Sequence, residues 1–327
     1  VWKLVKWPVS LGLLAWLALS ADWGSTLATL RSLPPVVLLV GPALMGMAQL
    51  LSTRRLQVLL RAQGIERSYG AVLRLTFAGL FAGNFLPSSV GGDTLKVVRL
   101  AQQGYGTVKP AACIVVDRLV SLVSACVLVL SVLFVPALLP TSGSFSIARL
   151  SVLALLLAGT AVLGLVVLGQ RQRRRSTTTA DDAAAPLRSP LRKRLDALLA
   201  MLAQWGSSTP ALLVALLLSW GNFLFSVAAL WVIAQGLGIV IQPLELLAVS
   251  MLTYFVTLLP ISLNGLGVKE VSTVYLLAQL GATPEQGLAL AIVARLFYVA
   301  LSLLGVFDIL LKQERGEHIH AYPDPEL

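Results

Sequence analysis

The sequence predicts an all-α polytopic membrane protein: about eight long helices, two short re-entrant or broken helices, and an inverted internal repeat. Three observations predict it. Apolar residues make up 57% of the 327 and charged residues only 12%, about half the charged share of a soluble domain. The apolar residues fall in runs that match the roughly 20 helical residues needed to cross a hydrocarbon core. A faint copy of one segment recurs 177 positions further on, with Asp93 answered by Glu270 and Arg118 by Arg295. The mean hydropathy is +0.84, more oil than a soluble protein of this mass can bury. A soluble enzyme and a nucleic-acid binder are both poor fits.

The runs, in order, cover 5–21, 33–52, 69–87, 111–135, 148–169, 210–235, 243–260 and 285–311. The chain begins Val1-Trp2-Lys3, and the first run lacks a small-residue cleavage site. It is expected to be a retained helix rather than a signal peptide. Trp2, Trp7, Trp16 and Trp23 read as interface anchors. The segments 90–104 and 266–280 each follow a proline and a glycine-rich turn. Both are short for a lipid-exposed span, and suit half-helices shielded by protein or a polar cavity. Residues 1–311 form one integral membrane domain in this reading. Its first repeat covers about 69–135 and its second about 243–311. A basic linker, 170–194, separates the halves, and 312–327 is a polar tail.

The net charge is +10, and its distribution sets an expected orientation. Lys3 and Lys6, the second loop with Arg54, Arg55, Arg61 and Arg67, the 170–194 linker, and Lys312 with Arg315 mark cytoplasmic segments. Both termini are then cytoplasmic. The count closes only if 90–104 returns the chain inward and 266–280 returns it outward. The two repeats would have opposite topology, the pattern of alternating-access transporters. A duplicated scaffold that merely packs symmetrically is the simpler alternative. Cys113 and Cys126 sit in apolar runs, and His318 and His320 in the tail; neither pair reads as a metal site or disulfide. No cofactor is expected, and no nucleotide-binding loop occurs.

Charges inside a bilayer are costly unless paired or hydrated. The intramembrane set is Asp93, Lys96, Arg99, Asp117, Arg118, Glu245, Lys269, Glu270, Arg295 and Asp308. Gly91 and Gly92 open the segment bearing Asp93, and Gly265 and Gly267 open the one bearing Lys269 and Glu270. Those glycines fit either an anion cradle of backbone N–H groups or close helix packing. Asp93 fits a helix cap. Arg118 and Arg295 fit snorkelling to the interface, pairing with Asp93 and Glu270, or clamping a phosphate. Each carboxylate precedes its arginine by 25 positions, which favours a paired structural or binding role. Asp117 reads as an interfacial charge beside Arg118. Asn222 and Tyr254 are weaker cavity candidates.

These residues carry a resemblance. Asn84-Phe85-Leu86-Pro87-Ser88-Ser89-Val90-Gly91-Gly92-Asp93, then Lys96, Arg99-Leu100 and Asp117-Arg118-Leu119, resemble the membrane domain of the lysylphosphatidylglycerol synthase / flippase-like family. Pro260, Gly265-Leu266-Gly267-Val268-Lys269-Glu270 and Arg295 resemble its second signature. Ser88-Ser89 stands where many members have two glycines. The resemblance spans roughly 5–311. It implies a bacterial inner-membrane protein that moves a polar-headed, phosphate-bearing lipid between leaflets. Substrate contacts would come from Gly91, Gly92, Asp93, Lys96, Arg99, Arg118, Gly265, Gly267, Lys269, Glu270 and Arg295. Partners would be a membrane lipid with a polar or anionic head and envelope-lipid biosynthesis proteins. After Asp308 only a short polar tail follows, so lysyl transfer by this chain alone is not expected. Two alternatives remain open: an intramembrane lipid-modifying transferase of the phosphatidylglycerol lysyltransferase kind, or a non-catalytic subunit of an envelope-lipid pathway.

Overall fold

The computed structural model describes residues 10, 12–13, 19, 22–85, 91–133, 209–258 and 265–314. They form nine α-helices in the order α1 (Trp23–Arg31), α2 (Pro35–Ala62), α3 (Tyr69–Phe85), α4 (Gly91–Leu100), α5 (Val108–Leu133), α6 (Thr209–Gly236), α7 (Pro243–Leu258), α8 (Val268–Ala278) and α9 (Pro284–Glu314). A π-helical turn, Ala101–Tyr105, follows α4. Helices suit this environment because they satisfy their own backbone hydrogen bonds where lipid offers none. Four segments are long and apolar enough to cross a membrane: Pro35–Ala62, Val108–Val129, Pro210–Gly236 and Pro284–Val306. The run 148–169, the linker 170–194, the tail 315–327 and most of the run 5–21 lie outside the described residues. So do the side chain of Asp308 and the turn segments 86–90 and 259–264.

Local sequence explains where the helices start. Asp22 caps α1: its Oδ1 accepts the Gly24 N–H at 2.9 Å and its Oδ2 accepts the Ser25 hydroxyl at 2.7 Å. Pro35 and Pro243 occupy first-turn positions where a missing N–H costs nothing. Glu245, listed above as an intramembrane charge, accepts the Gln242 N–H at 2.9 Å and so caps α7. Gly104 and Gly281 have φ of 91° and 90°. They stand 177 positions apart and end the two short helical segments in the same left-handed turn, open at low cost only to glycine.

One expectation needs correction. The run 33–52 continues as helix to Ala62, so Arg54, Arg55 and Arg61 belong to α2 and not to a loop. Arg55 is buried at 5% exposure. Helix α1 was not anticipated, because nine residues with one serine, two threonines and an arginine do not make an apolar run.

Packing crosses between the halves. Helix α9 lies along α3, α5 touches α7, and the most extensive contact joins α2 to α6. A larger apolar core includes Val37, Phe223, Ile233, Met251 and Leu290; a smaller one gathers Leu59, Leu60, Val72, Leu100 and Ile114. In lipid such cores are held by close packing rather than by expulsion of water, and small residues admit the closest approaches. A Cβ on Gly92 would stand 2.2 Å from the Gly79 carbonyl oxygen, and one on Gly305 would stand 2.2 Å from that of Phe77. The first contact seats α4 on α3 and the second seats α9 on α3. Gly305→Ala is expected to lower stability by about 1–3 kcal/mol, read as a lower thermal midpoint in detergent. Gly83→Ala, where an added Cβ meets nothing within 4 Å, should leave that midpoint nearly unchanged. Leu213, Leu217 and Leu224 lie on α6 at helical spacing and are 58%, 61% and 55% exposed, a face suited to lipid tails.

Candidate functional site

Three ion pairs organise the charged residues. In the first, Asp93 on α4 meets Arg118 on α5. Asp93 Oδ2 accepts from Arg118 Nε at 2.8 Å, with Nη2 also at 2.8 Å. Asp93 Oδ1 faces Lys96 Nζ at 3.4 Å. In the second, Glu270 on α8 meets Arg295 on α9. Glu270 Oε1 accepts from Arg295 Nε at 2.8 Å, and Glu270 Oε2 accepts the Gly267 N–H at 2.9 Å. Arg295 Nη2 lies 2.6 Å from the same Oε1, so two nitrogens of one guanidinium converge on one carboxylate oxygen.

The third pair was not legible as such. Arg55 on α2 grips Asp117 on α5 through both nitrogens of one edge, Nε to Oδ1 at 2.7 Å and Nη2 to Oδ2 at 3.0 Å. Arg55 Nη1 donates to the Ser219 hydroxyl on α6 at 2.7 Å. The pair is buried, with side chains 6% and 13% exposed. Asp117 is therefore not an interfacial charge. It ties α5 to α2 and α6, while its neighbour Arg118 reaches α4. Beside it, Arg54 donates to Gln57 and Gln57 to the Arg67 carbonyl at 2.8 Å, which ties α2 to the segment before α3.

Two tyrosines connect these pairs. Tyr298 on α9 interacts electrostatically with Arg118, Arg295 and Asp93, and the Lys269 ammonium sits 5.8 Å from its ring centroid. Tyr254 on α7 is in electrostatic contact with Arg118, Arg55 and Asp117, and its ring meets Phe223 edge-on at 5.5 Å. Tyr298 thus follows Arg295 by about one turn on α9 and faces the Lys269 ammonium. It was missed in the sequence because it lies in the apolar run 285–311 with no charge beside it. Arg118 has a side chain 58% exposed despite its neighbours Asp93, Asp117 and Tyr254. Lys269 is likewise exposed.

The remaining predicted residues fall into two groups. Gly91 and Gly92 are buried at the start of α4, and Gly92 is engaged in helix packing as described above. Gly265 and Gly267 have φ of 75° and 80° and shape the turn into α8. The Gly267 N–H is already engaged by Glu270, and a Cβ there would meet Leu13 Cβ at 2.8 Å. These placements fit packing and turning more directly than an open anion cradle. Lys96 runs across Gly79, whose absent Cβ would stand 2.6 Å from Lys96 Cε. Arg99 lies in the last turn of α4, half-buried.

Helices packed across two halves, with charged pairs held between them, define an all-α polytopic membrane protein. The chain belongs to the lysylphosphatidylglycerol synthase TM region family, whose model matches residues 4–305. That membership makes it a membrane protein related to lipid modification or translocation. No curated protein matches the chain.

Proposed function

We propose that the protein is a lipid translocator. It moves a polar-headed, phosphate-bearing lipid across a bacterial inner membrane, with the head passing through a polar recess between two inverted repeats. The observation that carries this reading is the recurrence of one device. A carboxylate on a short helix pairs with an arginine 25 residues later on a long one, at Asp93–Arg118 and at Glu270–Arg295. Tyr298 lies within electrostatic reach of Arg118, Asp93 and Arg295, members of both devices. Gly104 and Gly281 repeat the same backbone turn at the same offset, and α9–α3 and α5–α7 repeat one packing relation. A site between inverted repeats is where alternating-access transporters bind.

The transferase alternative needs a carboxylate free to take a proton. Asp93 faces two cations, and Glu270 accepts an N–H and a guanidinium. Each would have to give up a partner before it could take a proton from a substrate. Flipping needs no covalent step, so it is the better match to these groups. The test is reconstitution of the purified chain in liposomes with head-group-labelled lipids and a membrane-impermeant quencher. Leaflet exchange of a phospholipid above protein-free vesicles is expected. No exchange of any tested lipid by folded, inserted protein would count against the reading.

A further inference from the structure

The charge balance of this recess specifies its headgroup. Lys96, Arg118, Lys269 and Arg295 supply four positive charges to the two carboxylate–arginine groups and the Tyr298 ring next to Lys269, and Asp93 and Glu270 supply two negative ones. Adding the neighbouring Arg55–Asp117 pair adds one of each. The excess is two positive charges either way.

The hydrogen bonds show which sign has capacity left. All four carboxylate oxygens of Asp93 and Glu270 face donors: Lys96, Arg118, Arg295 and the Gly267 N–H. Each already has a donor in place, which an incoming ammonium would have to share or displace. The cations differ. Among the described residues Lys269 has no carboxylate within ion-pair distance, and its ammonium meets the face of Tyr298. Arg295 turns both Nε and Nη2 to the single oxygen Glu270 Oε1. Arg118 is more than half exposed. Uncompensated positive charge is expensive in a low-dielectric surrounding, and a bound dianion removes that cost.

Resting on the translocator reading for the place of the site, we infer that the recess takes a lipid whose head is a phosphate monoester or diphosphate carrying two negative charges. It discriminates against cationic, aminoacylated heads, and Lys269 is the residue that sets the preference. A dianion neutralises the excess, a phosphodiester leaves one positive charge, and a zwitterion leaves two. A lysylated head adds positive charge with no carboxylate to receive it.

The experiment is native mass spectrometry of the full-length protein in detergent. The probes are phosphatidic acid, phosphatidylglycerol, phosphatidylcholine and lysyl-phosphatidylglycerol. Affinity should fall from phosphatidic acid through phosphatidylglycerol to phosphatidylcholine, with the lysylated lipid bound no better than phosphatidylcholine. Lys269→Gln should weaken phosphatidic acid binding about tenfold, the loss of one charge-assisted contact. It should leave phosphatidylcholine unchanged, and Lys269→Arg should restore the preference. The Lys269→Arg protein also shows whether a loss in Lys269→Gln comes from misfolding. Tightest binding of the lysylated lipid, or equal binding of all four with no effect of Lys269→Gln, would overturn the headgroup assignment and leave the translocator reading standing. Binding of no lipid at all would remove both.

Discussion

Arg55→Ala and Asp117→Ala are each expected to destabilise the protein by about 3–5 kcal/mol, the usual consequence of leaving one half of a buried ion pair unpaired. Arg55 holds both oxygens of Asp117 and also the Ser219 hydroxyl, so three helices lose their common tie at once. The double replacement Arg55→Met with Asp117→Leu removes both charges and keeps the volume. It should recover most of the stability, because a buried pair contributes little net energy relative to packed apolar groups. Thermal or denaturant unfolding of the three variants in detergent measures both the losses and the recovery. If both single variants unfold like the parent, Arg55 and Asp117 are not the anchor that the geometry indicates. The recovered double variant has a second use. It asks whether α5 still presents Arg118 correctly without the anchor, read as leaflet exchange at restored stability.

The second large effect falls on transport. Arg118→Ala and Arg295→Ala should each lower leaflet exchange about tenfold or more, because each removes a charge-assisted contact to the head. Folding should suffer less in Arg118→Ala than in Arg295→Ala. Arg118 is 58% exposed, so Asp93 keeps access to solvent and to Lys96. Arg295 and Glu270 are 19% and 8% exposed, and losing the guanidinium leaves a buried carboxylate with only the Gly267 N–H. Glu270→Gln with Arg295→Ala should therefore fold better than Arg295→Ala alone, while transport stays low. Such a split between folding and flux separates a substrate contact from helix glue. Loss of transport that tracks loss of fold in every variant would mark both pairs as structural.

Much of this was legible in the sequence, for identifiable reasons. Long apolar runs set α2, α5, α6 and α9, since hydropathy is the dominant constraint on a chain in lipid. The equal 25-residue spacings made the two carboxylate–arginine pairs visible before any distance was known. What escaped was tertiary. Arg55 sits in a basic cluster that reads as a loop, because charge density conceals that the helix continues to Ala62. Its partner Asp117 is 62 positions away, with no spacing rule to connect them. Tyr298 has no local signal, since a tyrosine in an apolar run resembles any interface aromatic. Gly92 and Gly267 were compatible with cradle or packing, and only the neighbouring atoms, Gly79 O and Leu13 Cβ, distinguish the two.

The central claim is that one headgroup site lies at Tyr298, within electrostatic reach of members of both carboxylate–arginine pairs. The most direct test places a photoreactive phenylalanine analogue at position 298 in the full-length protein and illuminates it in native membranes. A covalent lipid adduct at that position, competed by added phosphatidic acid and lost in the Arg118→Ala background, is the predicted result. The same analogue at Leu217, on the exposed face of α6, should also label lipid but without competition. Labelling at Leu217 with none at 298 would contradict the account, since lipid would then reach the outside of the bundle and never the charged recess.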